Sequence, residues 1–189
     1  MDRIWATILQ EFSDVSDLTE ATIICVRLMV AALLGALIGF DRERKGKAAG
    51  LRTHMMVSLG AALFILVPLR SGMDIADASR VLQGITAGIG FLGAGAILKQ
   101  DQRWAIKGLT TASSIWVAAA VGVAAGMGRE STAVLGTLAA LFILGAMARL
   151  ERRIDPTVPS SSASEVEDPR GPASQRFVPP PEDRDRADP

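Results

Sequence analysis

Five long apolar segments restrict what this chain can fold into. They contain 17 to 20 residues each and cover residues 21–40, 53–69, 81–98, 108–126 and 131–148. A helix needs roughly 17–25 apolar residues to cross the hydrocarbon core of a bilayer. Because lipid satisfies no backbone hydrogen bonds, spanning segments of this kind are helical. The sequence therefore predicts an all-α polytopic membrane protein with five transmembrane helices. The alternative, a buried soluble five-helix bundle, is disfavoured because the segments lack polar faces.

The basic residues that flank these segments predict the orientation of the chain. One side carries eleven of them: Arg42, Arg44, Lys45, Lys47, Arg52, Lys99, Arg103, Lys107, Arg149, Arg152 and Arg153. The other side carries Arg3, Arg70, Arg80 and Arg129. The positive-inside rule places the richer side in the cytoplasm. The N-terminus is then expected outside and the C-terminus inside, as an odd number of spans requires.

The composition argues against most classes of soluble enzyme and against a nucleic-acid partner. Lys plus Arg and Asp plus Glu both number 20, so the formal net charge is zero. The single cysteine, Cys25, allows no intrachain disulfide and no cysteine-based zinc site. The single histidine, His54, disfavours histidine-rich metal sites and a Ser-His-Asp triad. We expect no enzymatic activity, no catalytic residues, no cofactor and no bound metal.

The two ends of the chain differ from the membrane domain expected at 21–150. Residues 1–20 are acidic, unlike a signal peptide, and Ile4, Ile8 and Phe12 form an apolar stripe beside Trp5. This pattern predicts an interfacial helix over 3–12, the alternative being a frayed terminus. Residues 151–189 are polar and rich in proline, which predicts a disordered cytoplasmic tail.

Glycine is concentrated in the third apolar segment. Gly88, Gly90 and Gly93 formally match a dinucleotide-binding fingerprint, but that motif requires a preceding strand, which a membrane helix does not supply. The spacing instead favours close helix packing, either within the chain or at a dimer interface. A third interpretation is that the glycines break the helix or admit a polar path. The predicted packing motif comprises Gly84, Gly88, Gly90, Gly93 and Gly95.

Charged and hydroxyl residues give a candidate polar site. Arg27 is the only formal charge inside an apolar segment, and it either snorkels to the headgroups or faces inward to hold an anion or a carboxylate. The charges after the first segment either anchor lipid headgroups or belong to the site. A lone histidine is typical of a span boundary, and hydroxyls at the start of the fourth segment suit helix packing or a polar cavity. The candidate residues are Arg27, Asp41, Arg42, Glu43, Arg44, Arg52, Thr53, His54, Thr110 and Thr111.

Acidic and amide side chains are absent from the five segments, apart from Gln83 near the end of the third. A dedicated Mg²⁺ path requires oxygen ligands, usually carboxylates. The nearest carboxylates lie in the flanks, for example at Asp41 and Glu43. The sequence chemistry thus gives weak support to direct transport of a divalent cation.

Three motifs in the correct order resemble the MgtC/SapB family of bacterial inner-membrane proteins. They are RLMVAALLGALIGFDRERKGKAAGLRTHMMVSLGAALF from Arg27, GITAGIGFLGAGAIL from Gly84 and KGLTTASSIWVAAAVGVAAGMG from Lys107. The motif positions include most of the candidate residues above, and also Gly35, Gly39, Gly50, Leu51, Phe91, Ala94, Gly108, Leu109, Ala112 and Trp116. The resemblance covers about residues 23–148. Virulence-type members carry a folded cytoplasmic domain after the fifth span, so this chain resembles the short SapB-like form.

The resemblance implies five membrane helices with the N-terminus outside, and a link to growth at low Mg²⁺ and, in some pathogens, to survival inside macrophages. It favours a regulatory role over Mg²⁺ transport. Implied partners are the lipid bilayer, a membrane protein such as the membrane sector of the ATP synthase or a transporter, and a second copy of the chain. The expectation is a non-enzymatic factor in Mg²⁺ homeostasis or stress adaptation that regulates a membrane partner. The alternatives are a small ion or solute transporter and a lipid-binding structural protein.

Overall fold

The computed structural model describes residues 1–12, 15, 17–100 and 105–154. This part of the chain is dominated by six helices and contains one short hairpin. The elements are α1 (Asp2–Glu11), α2 (Leu18–Arg44), α3 (Leu51–Arg70), α4 (Ile75–Gly95), β1 (Leu98–Gln100), β2 (Ala105–Lys107), α5 (Leu109–Gly126) and α6 (Glu130–Ile154). The tail expected at 151–189 lies outside the described residues from position 155 onward.

Three helices, α2, α3 and α5, are long and apolar enough to cross a membrane. The described part of α6 contributes a shorter apolar stretch, Glu130–Ala146. Large apolar side chains such as Leu33, Leu37 and Phe64 remain more than one-third exposed on these helices. Exposed apolar side chains on long helices suit a lipid environment, in which such surface needs no protein cover.

The helices extend beyond the apolar segments at several ends. Residues 41–44, expected in the first loop, form the last turn of α2, and α3 begins at Leu51 rather than at residue 53. Helix α4 begins at Ile75, ahead of the segment expected from residue 81. Hydropathy marks the part of a helix that lipid solvates, whereas the backbone hydrogen bonds continue into the polar flanks.

The hairpin between α4 and α5 was not predicted from the sequence. Strands β1 and β2 pair antiparallel, with Leu98 opposite Lys107 and Gln100 opposite Ala105. Gly108 follows β2 with a φ of 91° and begins α5 as its N-cap. A side chain there would collide with the backbone carbonyl of Ala96. Glycine therefore permits the abrupt change from strand to helix.

Helix α3 packs between two glycine pairs, one on α2 and one on α5. A Cβ atom at Gly35 would lie 2.6 Å from the carbonyl oxygen of His54, and one at Gly39 would lie 2.7 Å from Cα of Leu51. On α5, a Cβ at Gly122 would collide with the backbone of Ser58, and one at Gly126 would lie 2.5 Å from the carbonyl oxygen of Ala62. Both pairs have the four-residue spacing that lets helix backbones approach closely.

Helix α4 packs much less closely. A Cβ at Gly93 would lie 3.7 Å from Cβ of Ala112, but at Gly84, Gly88, Gly90 and Gly95 it would meet nothing within 4 Å. Within the described chain only Gly93 of this set contacts a neighbouring helix, and the alternative of packing at an interface with another helix stays a prediction. The closest helix contacts instead use the glycines of α2 and α5, which face the α3 backbone.

Candidate functional site

A buried polar network links α2, α3 and α5 at the end of the bundle where α2 ends and the other two helices begin. We call this the Arg42 end. Nη2 of Arg42 donates to Oγ1 of Thr111 at 3.3 Å. Oγ of Ser114 lies 2.8 Å from the carbonyl oxygen of Thr111 and 3.0 Å from Nε2 of His54. Nδ1 of His54 lies 2.8 Å from the carbonyl oxygen of Gly50.

The members of this network are almost completely removed from solvent. Arg42 is 3% exposed, Thr111 2%, Ser114 3% and His54 0%. Burying a polar group without a partner costs on the order of 1–3 kcal/mol, and burying a lone charge costs more. The hydrogen bonds above therefore hold the three helix ends in one arrangement. His54 is a core residue and not the boundary residue expected of a lone histidine.

The hydrogen positions in the network follow from donor and acceptor counting. A carbonyl oxygen only accepts, so Nδ1–H of His54 donates to Gly50. In the neutral ring Nε2 then accepts the hydroxyl hydrogen of Ser114. That hydrogen is also within reach of the Thr111 carbonyl oxygen, so the Ser114 hydroxyl is shared between its own helix and α3.

Ser58 extends the polar contacts deeper into the bundle. Its hydroxyl donates to the carbonyl oxygen of Ala31 on α2 at 2.7 Å, and the residue is 0% exposed. The sequence interpretation missed Ser58. The signal was its position four residues after His54, which places both side chains on one helix face.

Charged residues around the Arg42 end pair locally. Nζ of Lys45 donates to Oδ2 of Asp41 at 2.7 Å and to the carbonyl oxygen of Leu144 on α6 at 3.0 Å. Oε2 of Glu43 accepts from the backbone N–H of Leu51 at 2.7 Å and so caps α3. The guanidinium of Arg44 lies 5.7 Å from the centre of the Phe40 ring.

Arg27 lies far from this network. Fifteen residues separate it from Arg42 along α2, about 22 Å at 1.5 Å per residue. Its Nη1 donates to the carbonyl oxygen of Gly126 at 3.2 Å, and its Nε lies 3.9 Å from Oε1 of Glu130. A second ion pair, Glu20 with Arg70, joins α2 to α3. This opposite end of the bundle we call the Arg27 end.

The candidate residues therefore do not form one pocket. The structure brings Arg42, His54 and Thr111 together, whereas Arg27 belongs to the other end. Arg52 and Thr110 are exposed in the first turns of α3 and α5.

A cavity of about 270 Å³ adjoins the polar network between α3, α4 and α5. Its lining residues are Ala48, Ala49, Thr53, Val57, Leu92, Ala96, Thr111 and Ile115. Thr53 and Thr111 bring two hydroxyl groups to otherwise apolar walls. The cavity can hold a small molecule that has an apolar part and a hydrogen-bonding group.

Carboxylates at the site are used for contacts between protein groups. Among the described residues, no group of three or more His, Cys, Asp or Glu side chains is placed to hold a metal ion. Asp41 and Glu43 bind Lys45 and the α3 backbone instead.

The comparison with protein families agrees with the motifs. The model of the MgtC family matches residues 28–153, which is well over half of the chain. Protein SrpB of Synechococcus elongatus is 43% identical over 137 residues, covering 67% of this chain and 75% of SrpB. No solved structure matches the chain significantly.

Two further relatives are longer than the region they share with this chain. The putative magnesium transporter YhiD of Escherichia coli K12 is 38% identical over 136 residues, 68% of this chain and 62% of YhiD. Protein MgtC of Salmonella typhimurium LT2 is 41% identical over 113 residues, 60% of this chain and 47% of MgtC. The region that the family model matches contains the residues of the polar network, all of α3 and α5 and most of α2. The resemblance drawn from the motifs is thus confirmed, and this membrane protein belongs to the MgtC family.

Proposed function

We propose that this chain is a non-enzymatic factor of Mg²⁺ homeostasis in a bacterial inner membrane, and that it acts by contact with a membrane partner. Membership of the MgtC family and the name of the relative YhiD support the link to Mg²⁺. Candidate partners are the membrane sector of the ATP synthase, a transporter and a second copy of this chain.

The open glycine face of α4 carries the proposal of a membrane partner. Only Ala78 and Gly93 of α4 are buried, whereas ten residues of α5 are. Gly84 and Gly88 lie four residues apart and have free space around their Cβ positions. In lipid, helices associate through small residues that allow close van der Waals packing. A second helix that fits this face would complete the packing that α4 lacks.

The proposed topology has five spans, α2 to α6, with the N-terminus outside and the C-terminus in the cytoplasm. The positive-inside rule and the three helices of spanning length support it. The Arg42 end, with the loop at 45–50, then faces the cytoplasm. In this topology helix α1, whose Trp5 and Leu9 are exposed, lies along the non-cytoplasmic surface of the inner membrane.

The contacts of the charged side chains favour regulation over transport. Arg27 binds the end of α5, Arg42 binds Thr111, and the carboxylate of Asp41 binds Lys45. These contacts fix helices to one another. An ion path requires polar or charged groups that face the pore and bind the passing ion.

Leucine substitution on α4 tests the proposal in a strain that lacks the native protein. Gly88→Leu is expected to abolish growth rescue at low Mg²⁺, because the side chain blocks the partner helix, while the protein still inserts. Gly60→Leu is the matched control, since Gly60 of α3 is also open but lies on another helix. Equal rescue by both variants would reject a partner at the α4 face.

A transporter is the second candidate, favoured by the cavity beside Arg42 and Thr111 and by the name of YhiD. The purified protein in liposomes, with Mg²⁺ outside and an Mg²⁺ indicator inside, distinguishes the two. We expect no saturable flux above that of empty vesicles. Saturable flux that Asp41→Ala or Arg27→Ala removes would establish transport and overturn the regulatory proposal.

A further inference from the structure

The cavity between α3, α4 and α5 has a polar end formed by two helix starts. Thr53 and Thr111 are each the third residue of their helices, after the N-caps Gly50 and Gly108. Backbone N–H groups in the first turn of a helix have no partner within that helix and carry partial positive charge. The start of α5 has no side-chain capping bond, because its N-cap is a glycine.

The buried guanidinium of Arg42 contacts the hydroxyl of Thr111. Nη2 of Arg42 donates to Oγ1 of Thr111 at 3.3 Å, and both residues are at most 3% exposed. A hydroxyl that accepts a hydrogen bond keeps its own hydrogen to donate. The Thr111 hydroxyl, polarised by the guanidinium, can therefore donate its hydrogen to a group inside the cavity.

Among the described residues, the carboxylates nearest this end contact other groups. None of the residues that line the cavity is acidic. The carboxylate of Glu43 accepts from the backbone N–H of Leu51, and that of Asp41 binds Lys45. The cavity thus combines a helix start, two hydroxyls and a nearby guanidinium. These are the groups that bind oxyanions in proteins.

The size and walls of the cavity add a second requirement. Its volume of about 270 Å³ corresponds to roughly nine water molecules at about 30 Å³ each. Val57, Leu92 and Ile115 form apolar walls beside the hydroxyls. The space accommodates a small oxyanion and leaves room for an adjoining apolar group.

We propose that this cavity binds a phosphate-type oxyanion, carried either by inorganic phosphate or by the headgroup of a phospholipid. Thr111 and Thr53 donate to the anion, the partial positive charge at the start of α5 favours it, and Arg42 supplies charge through Thr111. This binding site does not depend on the proposed role in Mg²⁺ homeostasis.

The test uses the purified full chain in maltoside detergent and phosphate-free buffer. One arm measures radiolabelled inorganic phosphate by equilibrium dialysis. The other counts bound dioleoyl phosphatidylglycerol by native mass spectrometry, with dioleoylglycerol as the lipid that lacks the phosphate. We expect saturable binding of phosphate or of phosphatidylglycerol, but not of dioleoylglycerol. The arm that responds identifies the source of the anion.

Paired variants locate the site. Thr111→Val should weaken binding at least about tenfold, as expected for loss of a hydrogen bond to a charged group. Thr110→Val is the matched control, because Thr110 lies in the same turn but is exposed and outside the cavity. Ala48→Leu narrows the cavity from its exposed side without removing a polar group, and should also block binding.

Three results would overturn the proposal. The first is that neither inorganic phosphate nor phosphatidylglycerol binds saturably. The second is that dioleoylglycerol binds as well as phosphatidylglycerol. The third is that Thr111→Val and Thr110→Val weaken binding equally. If Thr111→Val fails to fold, unchanged binding in Ala48→Leu would overturn the proposal instead. Circular dichroism and the elution volume on gel filtration report whether each variant is folded.

Discussion

Arg42, in the last turn of α2, donates a hydrogen bond to Thr111, in the first turn of α5, across 69 residues of sequence. Both side chains are buried. A guanidinium removed from water is tolerated only where protein groups replace its solvation. The bond therefore ties the position of the α2 terminus to that of α5, and α3 packs against both helices.

Removal of Arg42 should destabilise the protein. Arg42→Ala deletes a buried charge-assisted hydrogen bond, and a loss of about 1.5–3 kcal/mol in the free energy of unfolding is expected. Arg44→Ala is the control, because Arg44 is exposed and contacts only the Phe40 ring among the interactions above. Unfolding of the detergent-solubilised protein with increasing denaturant measures both. Similar midpoints for the two variants would contradict the assigned role of Arg42.

Alanine at Gly122 should disturb the contact between α5 and α3. Its methyl group would collide with the backbone of Ser58, which cannot rotate away, so a cost of about 1–3 kcal/mol is expected. Gly60→Ala has open space and should be neutral or stabilising by up to about 1 kcal/mol, because alanine favours helix. Thermal unfolding in one detergent compares the two. An unchanged unfolding temperature for Gly122→Ala would show that α5 and α3 do not pack closely at Gly122.

The hydroxyl of Ser114 should matter more than that of its neighbour. Ser114→Ala leaves Nε2 of the buried His54 without its partner, at a cost of about 1–3 kcal/mol. Ser113→Ala removes only a bond to Leu109 within the same helix on an exposed face, and should change stability by less than about 0.5 kcal/mol. Equal effects in denaturant titrations would indicate that His54 finds another partner.

At the Arg27 end, the arginine should contribute more than its acidic partner. The Arg27–Glu130 pair is partly exposed at 3.9 Å, so Glu130→Gln should cost less than about 1 kcal/mol. Arg27→Ala also removes the bond to the Gly126 carbonyl and should cost more. In about 1 M salt the Debye length falls to about 3 Å, so exposed charges are largely screened from each other. The effect of Glu130→Gln should therefore shrink at that concentration. An effect of Glu130→Gln that salt does not reduce would argue against an ion pair.

The proposed topology predicts opposite accessibility for two loops. In a Cys25→Ser background, Ser71→Cys lies between α3 and α4, and Ala48→Cys lies between α2 and α3. Both positions are exposed. A membrane-impermeant maleimide should label only Ser71→Cys in intact spheroplasts, and both after permeabilisation. The reverse pattern would invert the proposed orientation.

Much of the fold could be predicted from the sequence because hydropathy is a local property. The apolar segments at 21–40 and 53–69 fall within α2 and α3, and the segment at 108–126 corresponds to α5 and its N-cap, all three helices being of spanning length. The hairpin at β1 and β2 escaped prediction, because three-residue strands give too little periodicity to recognise. The ends of α2 and α4 also escaped, since polar residues continue a helix without an apolar signal.

The candidate site was predicted in part. Polar side chains in an apolar context identified Arg42, His54 and Thr111, which the structure brings together. The same reasoning grouped Arg27 with them because it considered residue type and not position, although fifteen residues of helix, about 22 Å, separate Arg27 from Arg42. Ser58 and Ser114 became visible as partners only once α3 had packed against α2 and α5.

The sequence by itself determined the helical, membrane-protein character of this chain and its family, since the length of apolar runs and ordered motifs need no knowledge of contacts. Tertiary structure alone decided which glycines are used. Gly84 and Gly88 have the same spacing as Gly122 and Gly126, yet only the latter pair contacts α3. The rotation of each helix about its axis, set by packing against all its neighbours, decides which face is covered. That rotation also selects the polar residues that share a buried network.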